Sequence, residues 1–319
     1  MKIVVLDGYT LNPGDNPWDE VAEQGELKVY ERTPAEQILD RAQGADILLT
    51  NKTPLDGALL KQLPDLKYIS VLATGYNVVD VDAAREQNIP VSNVPVYGTD
   101  TVAQYAFALL LNHGHHVAHH SDLVKAGEWE KRGDFCFWDY PLIELAGLTM
   151  GIVGFGRIGR RVGELAHAFG MKVLAADVQQ GKDPGYEPFA WRDIPDLFAE
   201  SDVVSLHCPQ TADNVGFVNR ELLSKMKPTG YFINTARGPL VNEQDLADAL
   251  NNDVIAGAAV DVVSKEPIQD TNPLLKAKNI VITPHMAWGT VAARKRLMHI
   301  TAENIRAFLA GKPVNVVNP

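Results

Sequence analysis

Residues 149–159 read TMGIVGFGRIG, and this stretch decides the fold of the chain. An apolar run leads into three glycines, Gly154, Gly156 and Gly159, and an amphipathic segment follows over residues 160–169. The pattern predicts a strand, a tight turn and a helix. The first glycine permits the turn, the second lets a pyrophosphate approach the backbone, and the third lets the helix pack closely on the strand. Because the N–H groups at a helix N-terminus attract phosphates, the stretch predicts a dinucleotide site.

An acidic residue follows at the spacing that such a site requires. A second apolar run, residues 172–176, ends in Asp177, which lies 18 residues beyond Gly159. A carboxylate at this distance can accept hydrogen bonds from the ribose hydroxyls of NAD. It also repels the 2′-phosphate of NADP, and residues 178–180 supply no arginine to neutralise that phosphate, so NAD is the predicted cofactor. Lys182 is close enough in sequence to leave NADP open.

The bulk composition excludes several classes of protein. A chain of 319 residues is long enough for two domains. Its net charge of −11 argues against a nucleic-acid partner, which needs a basic face. We predict no membrane span, because no run of 18 apolar residues occurs. Cys136 and Cys208 form no disulfide framework, which favours a reducing, cytoplasmic location.

Short apolar runs alternate with helical patterns along most of the chain, as is typical of parallel sheets covered by helices. The predicted strands are residues 3–6, 47–50, 68–72, 91–93, 151–153, 173–176, 203–206, 231–234, 256–260 and 280–283. Residues 101–126 and 290–310 each form one long helical pattern. We therefore predict an α/β protein with two doubly wound parallel-sheet domains.

The glycine turn lies in the middle of the chain, which bears on how the domains are arranged. In the simplest arrangement the C-terminal helix returns to the first domain. Residues 1–99 plus 288–319 then form a flavodoxin-like substrate-binding domain, and residues 100–287 form a Rossmann NAD-binding domain inserted into it.

Three predicted strands end in residues with acid–base or anion-binding chemistry, where open α/β sheets bind their ligands. Arg237 can bind a carboxylate through two parallel hydrogen bonds. His285 can protonate the alkoxide that develops when a hydride reaches a carbonyl, and Asp261 or Glu266 can hold its ring. Each residue alone also fits a structural role: a surface ion pair, a helix cap or a structural histidine.

The order and spacing of these motifs resemble the D-isomer-specific 2-hydroxyacid dehydrogenases along essentially the whole chain. The resemblance rests on the glycine turn with Asp177, on NTARG at 234–238 with Val241 and Glu243, on Asp261-Val262 with Glu266-Pro267, and on Pro284-His285. It implies that His285 exchanges the proton, that Glu266 holds and polarises His285, and that Arg237 binds the substrate carboxylate and polarises its carbonyl.

The resemblance also implies which residues contact the ligands. The implied NAD contacts are Thr74, Gly154, Gly156, Arg157, Ile158, Gly159, Asp177, Cys208, Thr235, Ala236, Arg237, Asp261 and His285, with Asp261 at the nicotinamide amide. The implied substrate contacts are Lys52, Ala73, Gly75, Arg237, His285 and Trp138. Lys52 fits a solvated loop lysine equally well, and Trp138 either enters a neighbouring subunit's site or is an interface or core aromatic.

Softer motifs place the chain nearest the glycerate dehydrogenase, or hydroxypyruvate reductase, branch of that family. They are residues 7–15, residues 50–54, Phe135-Cys136 with Trp138, and the Ala-Trp pair after His285. The expected reaction is reduction of hydroxypyruvate to D-glycerate, and of glyoxylate to glycolate. A broad 2-keto acid or D-lactate-type reductase and an NAD-sensing, corepressor-like binding protein are the alternatives.

Histidines crowd the helical pattern of residues 101–126. His115 with His119, and His116 with His120, have i,i+4 spacing that suits a metal ion. The expected chemistry needs no metal, so we predict none, and His113 and its neighbours are interpreted as a subunit contact or a solvated face. The resemblance implies a homodimer formed through residues 101–141.

Overall fold

A computed structural model describes all residues, 1–319. The chain divides into two compact units, Met1–Gly98 with Trp288–Pro319, and Thr99–Ala287. Each unit contains one parallel sheet, which confirms the predicted fold class. None of the helices combines the length and the apolar character that a bilayer crossing requires.

The first unit is built on five strands in the order β2-β1-β3-β4-β5, all parallel. The strands are β1 (Lys2–Val5), β2 (Glu26–Val29), β3 (Ile47–Thr50), β4 (Tyr68–Val71) and β5 (Val91–Ser92). The helices are α1 (Asp19–Ala22), α2 (Ile38–Ala42), α3 (Gly57–Leu60), α4 (Val81–Glu86) and, from the C-terminal part of the chain, α12 (Val291–Leu309). This strand order is the flavodoxin-like doubly wound order.

Helix α12 covers one face of this sheet. Leu297, Ala302 and Ile305 are fully buried in the apolar cluster that contains the side chains of β1 and β4. The ring of Phe308 stacks on Tyr68 of β4, with 4.4 Å between centroids. The C-terminal helix therefore belongs to the core of the first unit.

The second unit is built on seven parallel strands in the order β12-β11-β10-β9-β6-β7-β8. The strands are β6 (Thr149–Val153), β7 (Lys172–Ala176), β8 (Phe189–Trp191), β9 (Val203–Leu206), β10 (Tyr231–Asn234), β11 (Gly257–Val260) and β12 (Ile280–Ile282). The helices are α5 (Thr99–His115), α6 (Val117–Lys125), α7 (Glu128–Arg132), α8 (Arg157–Ala168), α9 (Ile194–Glu200), α10 (Arg220–Leu223) and α11 (Glu243–Asn251). Six of the strands follow the order of a dinucleotide-binding sheet, and β12 extends it.

All ten predicted strands are present, with ends that differ by at most two residues. The sequence pattern did not predict β2 or β8, which lie at the edges of their sheets. Strand β2 is mostly exposed and has no continuous apolar run, and the apolar run of β8 is only three residues long and half-buried, so neither shows a clear strand pattern.

The prediction of one continuous helix over residues 101–126 is wrong. The helix breaks at His116, which has a left-handed backbone with φ of 45°. Its N–H still bonds to the Asn112 carbonyl, and its ring packs on Tyr140 with 4.2 Å between centroids. Helix α6 then restarts at Val117, so the histidines are divided between two helices.

Candidate active site

The glycine turn between β6 and α8 leaves open space for a ligand. Gly154 has φ of +91°, and a Cβ there would collide with the backbone of Cys208. A Cβ on Gly159 would overlap the carbonyl oxygen of Gly154, so the helix packs against the turn only with glycine at that position. A Cβ on Gly156 would meet nothing within 4 Å. This opening lies at the N-terminus of α8, which begins at Arg157 and has the N–H groups that bind a pyrophosphate.

Asp177 is tied directly to the glycine turn. Its carboxylate accepts a hydrogen bond from the Phe155 N–H at 2.6 Å. A carboxylate has about four acceptor positions, so Asp177 can accept ribose hydroxyls as well. Cys208 follows the neighbouring strand β9, and burial raises the pKa of its thiol to about 11, so the thiol is neutral. These residues together fit the dinucleotide that the sequence predicts.

His285 and Glu266 form a hydrogen-bonded pair. The distance from His285 Nδ1 to Glu266 Oε2 is 2.7 Å, and the side chains are 25% and 34% exposed. An ionised carboxylate only accepts hydrogen bonds, so Nδ1 carries the hydrogen. Proton exchange with a ligand is then left to Nε2, which is the arrangement of an oriented acid–base histidine.

Asp261 holds the segment that carries His285. It is 1% exposed, and its carboxylate accepts hydrogen bonds from Thr283 Oγ1 at 2.6 Å, Met286 N at 2.9 Å and Ala287 N at 2.8 Å. Burial raises the pKa of this carboxyl. The His285 N–H bonds to the Asp261 carbonyl at 2.7 Å, and His285 has φ of 52°, a left-handed conformation that is uncommon outside glycine and asparagine. Asp261 therefore keeps His285 in a strained backbone geometry.

Arg237 lies in a turn that packs against the segment preceding Glu266. Asn234, the last residue of β10, accepts from the Ala236 N–H at 3.0 Å and donates to the Arg237 carbonyl at 2.9 Å. A Cβ on Gly238 would overlap the backbone of Val263, so the two chain segments are in direct backbone contact. The second unit thus contains the turns that carry Arg237, Glu266 and His285, each after one of the adjacent strands β10, β11 and β12.

Thr235 and Ala236 belong to the same turn as Arg237. The Thr235 hydroxyl is buried and has no hydrogen-bond partner in the protein. The Arg237 guanidinium donates to the Ala236 carbonyl at 2.7 Å.

In the first unit, the residues expected to contact the substrate follow β3 and β4, which are neighbouring strands. Lys52 is exposed in the turn of residues 51–53. The carboxylate of Asp7, after β1, accepts from all three backbone N–H groups of this turn, at 2.5–2.8 Å. Residues 73–75 follow β4, and the hydroxyl of Thr74 donates to the Val94 carbonyl at 3.0 Å. This role of Asp7 was not predicted, although its position at the end of a strand was the available signal.

Trp138 lies on an exposed loop that is anchored to the histidine helices. Its side chain is 60% exposed. The neighbouring Asp139 accepts from Arg132 at 2.7 Å and pairs with His119 Nε2 at 3.0 Å, and its N–H bonds to the ring of His120 at 3.2 Å. His119 and His120 thus hold a loop, and no group of three or more potential ligands is placed to bind a metal ion.

His113, in the histidine-rich region, is half-buried. Its ring stacks on Tyr231 with 3.9 Å between centroids, and burial lowers its pKa to about 4.

Comparison with known proteins identifies the family of the chain. The family described as D-isomer specific 2-hydroxyacid dehydrogenase, NAD binding domain, matches residues 107–287. The chain is 51% identical to a hydroxypyruvate reductase of Blautia hydrogenotrophica over 321 aligned residues, covering all of both proteins. It is 41% identical to a glycerate dehydrogenase of Methylorubrum extorquens, covering 99% of this chain and 98% of that one.

Similarity to a solved structure supports the same family. The D-lactate dehydrogenase from Aquifex aeolicus, complexed with NAD and lactic acid, matches with a TM-score of 0.86 and 28% identity, covering 100% of this chain and 99% of that one. The chain therefore belongs to the D-isomer-specific 2-hydroxyacid dehydrogenases, a family of NAD-dependent oxidoreductases.

Proposed function

We propose that the protein reduces hydroxypyruvate to D-glycerate with NADH, and glyoxylate to glycolate. The observation that carries this proposal is the His285–Glu266 pair at 2.7 Å, in the same unit as the glycine turn and Arg237. The two relatives named above act, by their names, on the same keto acid and hydroxy acid couple. When bound, NADH would supply the hydride for the C2 carbonyl carbon of the keto acid.

The residues of the chain then have separate tasks. Arg237 binds the substrate carboxylate and polarises the carbonyl, because its planar guanidinium matches a carboxylate. His285 gives the proton on Nε2 to the C2 oxygen as negative charge develops there, and in the reverse reaction it accepts that proton. Glu266 fixes the ring and stabilises the imidazolium, and Asp261 holds the backbone on which the ring is mounted.

Most of the proposed cofactor contacts belong to the second unit, and the first unit adds further contacts to the substrate. In this proposal the glycine turn, Arg157, Ile158 and Asp177 bind the pyrophosphate and ribose, and Cys208 and residues 235–237 line the rest of the cofactor site. Lys52 and the backbone of residues 73–75 contribute to the substrate carboxylate, and Thr74 also contacts NAD. The positive charge of Lys52 suits it to bind the substrate carboxylate, and Asp7 fixes the turn on which Lys52 lies.

We also propose that the protein is a cytoplasmic homodimer. Large apolar side chains are exposed on residues 135–142, including Phe135 at 90%, Trp138 at 60% and Leu142 at 55%, which favours a subunit contact there. The two cysteines are both unpaired, which suits a reducing compartment. Light scattering tests the dimer, and a monomer at micromolar concentration would contradict it.

NADH oxidation with hydroxypyruvate, glyoxylate, pyruvate and 3-phosphohydroxypyruvate tests the reaction. Hydroxypyruvate is expected to give the highest kcat/KM. A preference for pyruvate would indicate a D-lactate-type or broad reductase instead. A protein that binds NADH and reduces none of the four would be an NAD-sensing binding protein.

The variant His285→Asn tests the proton donor. Asparagine tolerates the left-handed backbone of this position, so the loop is kept while the acid is removed. We expect kcat to fall about 10²- to 10⁴-fold, while the Kd for NADH, followed by fluorescence, changes far less, because His285 is only one of many cofactor contacts. Near-normal turnover would contradict the assigned role.

A further inference from the structure

Glu243 is the first residue of α11, and both oxygens of its carboxylate are bound to the loop of residues 262–272, the Glu266 loop. Oε1 accepts from the Ser264 N–H at 2.7 Å. Oε2 accepts from the Ser264 hydroxyl at 2.6 Å and from Asn272 Nδ2 at 3.0 Å. The Glu243 side chain therefore links Ser264 and Asn272, and Glu266 lies between these two residues in the loop.

Within the Glu266 loop, the hydrogen bond from the backbone to the Glu266 carboxylate is long. The Val263 N–H reaches Glu266 Oε1 at 3.4 Å, a long distance for a hydrogen bond. Residues 264–267 are exposed, so little packing fixes the loop there. The three short bonds to Glu243 are charge-assisted and thus stronger than neutral ones.

The same loop also contacts the turn of Arg237. Residues 263 and 264 lie against Gly238, where no Cβ fits. A shift of Ser264 therefore moves the backbone that carries Glu266 and the backbone that supports Arg237 together.

We propose that Glu243 is a positioning residue for the His285–Glu266 pair. It acts through Ser264 and Asn272, and it keeps the Glu266 carboxylate at the distance at which His285 Nδ1 donates to it. The inference rests on the proposed function for its effect on turnover, but its effect on the pair can be measured without turnover.

The test uses the full-length protein with Glu243→Ala and Glu243→Gln, and with Asp245→Asn as the matched control. Asp245 lies in the same first turn of α11 and carries the same charge, but it binds the Arg220 N–H at 3.0 Å and no residue of the Glu266 loop. Substitutions at both sites therefore remove a negative charge from the first turn of α11. Only the substitutions of Glu243 also remove hydrogen bonds to the Glu266 loop.

The first readout is the His285 Nδ1–H proton in NMR spectra of protein labelled with ¹⁵N-histidine, assigned by its loss in His285→Asn. A proton that is hydrogen-bonded to a carboxylate exchanges slowly with water, so it is expected in the wild type and in Asp245→Asn. It is expected to disappear in Glu266→Ala and in Glu243→Ala, and to be partly retained in Glu243→Gln, which keeps one acceptor. A signal that persists in Glu243→Ala, or that disappears in Asp245→Asn, overturns the proposal.

The second readout is hydroxypyruvate reduction. Glu243→Ala is expected to lower kcat about ten- to a hundredfold, since misplacement by 1 Å costs on this order, while the Kd for NADH, which depends mainly on the glycine turn and Asp177, changes much less than kcat. Glu243→Gln should recover part of kcat. Equal losses of kcat in Asp245→Asn would overturn the proposal. If the wild type reduces no keto acid but the Nδ1–H signal responds as expected, the proposed function fails and the positioning role stands. If Glu243→Ala does not fold, Ser264→Ala, which removes one of the three bonds, gives the same comparison.

Discussion

Replacing Asp261 by asparagine is expected to destabilise the protein and to misplace His285. The asparagine side chain has one acceptor oxygen, and its amide group is a donor. If the oxygen keeps the Thr283 and Met286 bonds, the amide faces the Ala287 N–H, which is 2.8 Å from the present carboxylate. Because the site is 1% exposed, water cannot replace the lost acceptor. A buried N–H without a partner costs about 1–3 kcal/mol.

Removal of the buried charge offsets part of this cost. Burial raises the pKa of Asp261, so the ionised form carries a desolvation penalty in the folded protein that asparagine does not have. We expect a net loss of about 2 kcal/mol in the free energy of unfolding. The left-handed conformation at His285 stores about 1–3 kcal/mol, and weaker restraint lets it relax, so kcat should fall about a hundredfold.

Urea unfolding at pH 7 and hydroxypyruvate reduction measure the two effects. The matched control is Asp202→Asn: Asp202 accepts from Thr149 N at 2.8 Å and Lys227 Nζ at 2.7 Å, at the amino end of β9, away from the strand ends that carry the site. The control should lower stability while kcat stays within twofold. An Asp261→Asn protein with wild-type stability, or with wild-type kcat, would refute the reasoning.

Three further perturbations test other parts of the molecule. Asp177→Ala removes the acceptor for the ribose hydroxyls and the repulsion of a 2′-phosphate, so the ratio of kcat/KM for NADPH to that for NADH should rise about tenfold or more; an unchanged ratio would contradict its role. His113→Phe keeps a ring against Tyr231 but cannot titrate. Because the pKa of His113 is lowered from 6.5 to about 4, the unfolded chain binds a proton there that the folded chain does not, and stability is lost as pH falls from 6.5 towards 4. The variant should lose about 1–2 kcal/mol less stability between pH 7 and pH 5 in urea titrations, and equal losses would argue against the half-buried neutral ring. Asp7→Asn loosens the turn of residues 51–53, so KM for the keto acid should rise about five- to tenfold with an unchanged Kd for NADH, and an unaltered KM would show that the turn does not contact the substrate.

Much of this fold could be predicted from the sequence, because buried parallel strands are continuous apolar runs and the glycine turn constrains its own geometry. Strand β2 escaped prediction because it is mostly exposed and has no such run, and β8 because its run is only three residues long. The break at His116 escaped because the left-handed residue is a histidine, and the nearby Gly114 lies inside helix α5. In each case the deciding interaction is tertiary, and local sequence does not record it.

The candidate site could likewise be predicted only in part. Arg237, Glu266 and His285 follow predicted strands, so their placement at one sheet edge could be expected. The roles of Asp7 and Glu243, which hold the turns and loops of the site, could not be expected, because each binds a segment that is distant along the chain. Asp7 binds a turn 44–46 residues away, and Glu243 binds Ser264 across 21 residues. Such acids look like ordinary turn or helix-start residues until the fold brings their partners to them.

The C-terminal helix has a consequence for how the protein is made. The first sheet is complete once residue 92 has been synthesised, but the helix that covers one of its faces ends at Leu309. At about 5–20 residues per second, a ribosome needs roughly 10–45 s to add the intervening residues. During that time Tyr68 and its apolar neighbours lack their cover, whereas residues 99–287 can already fold as a continuous unit. The nascent first unit is therefore the part of the chain most exposed to aggregation and to chaperone binding during synthesis.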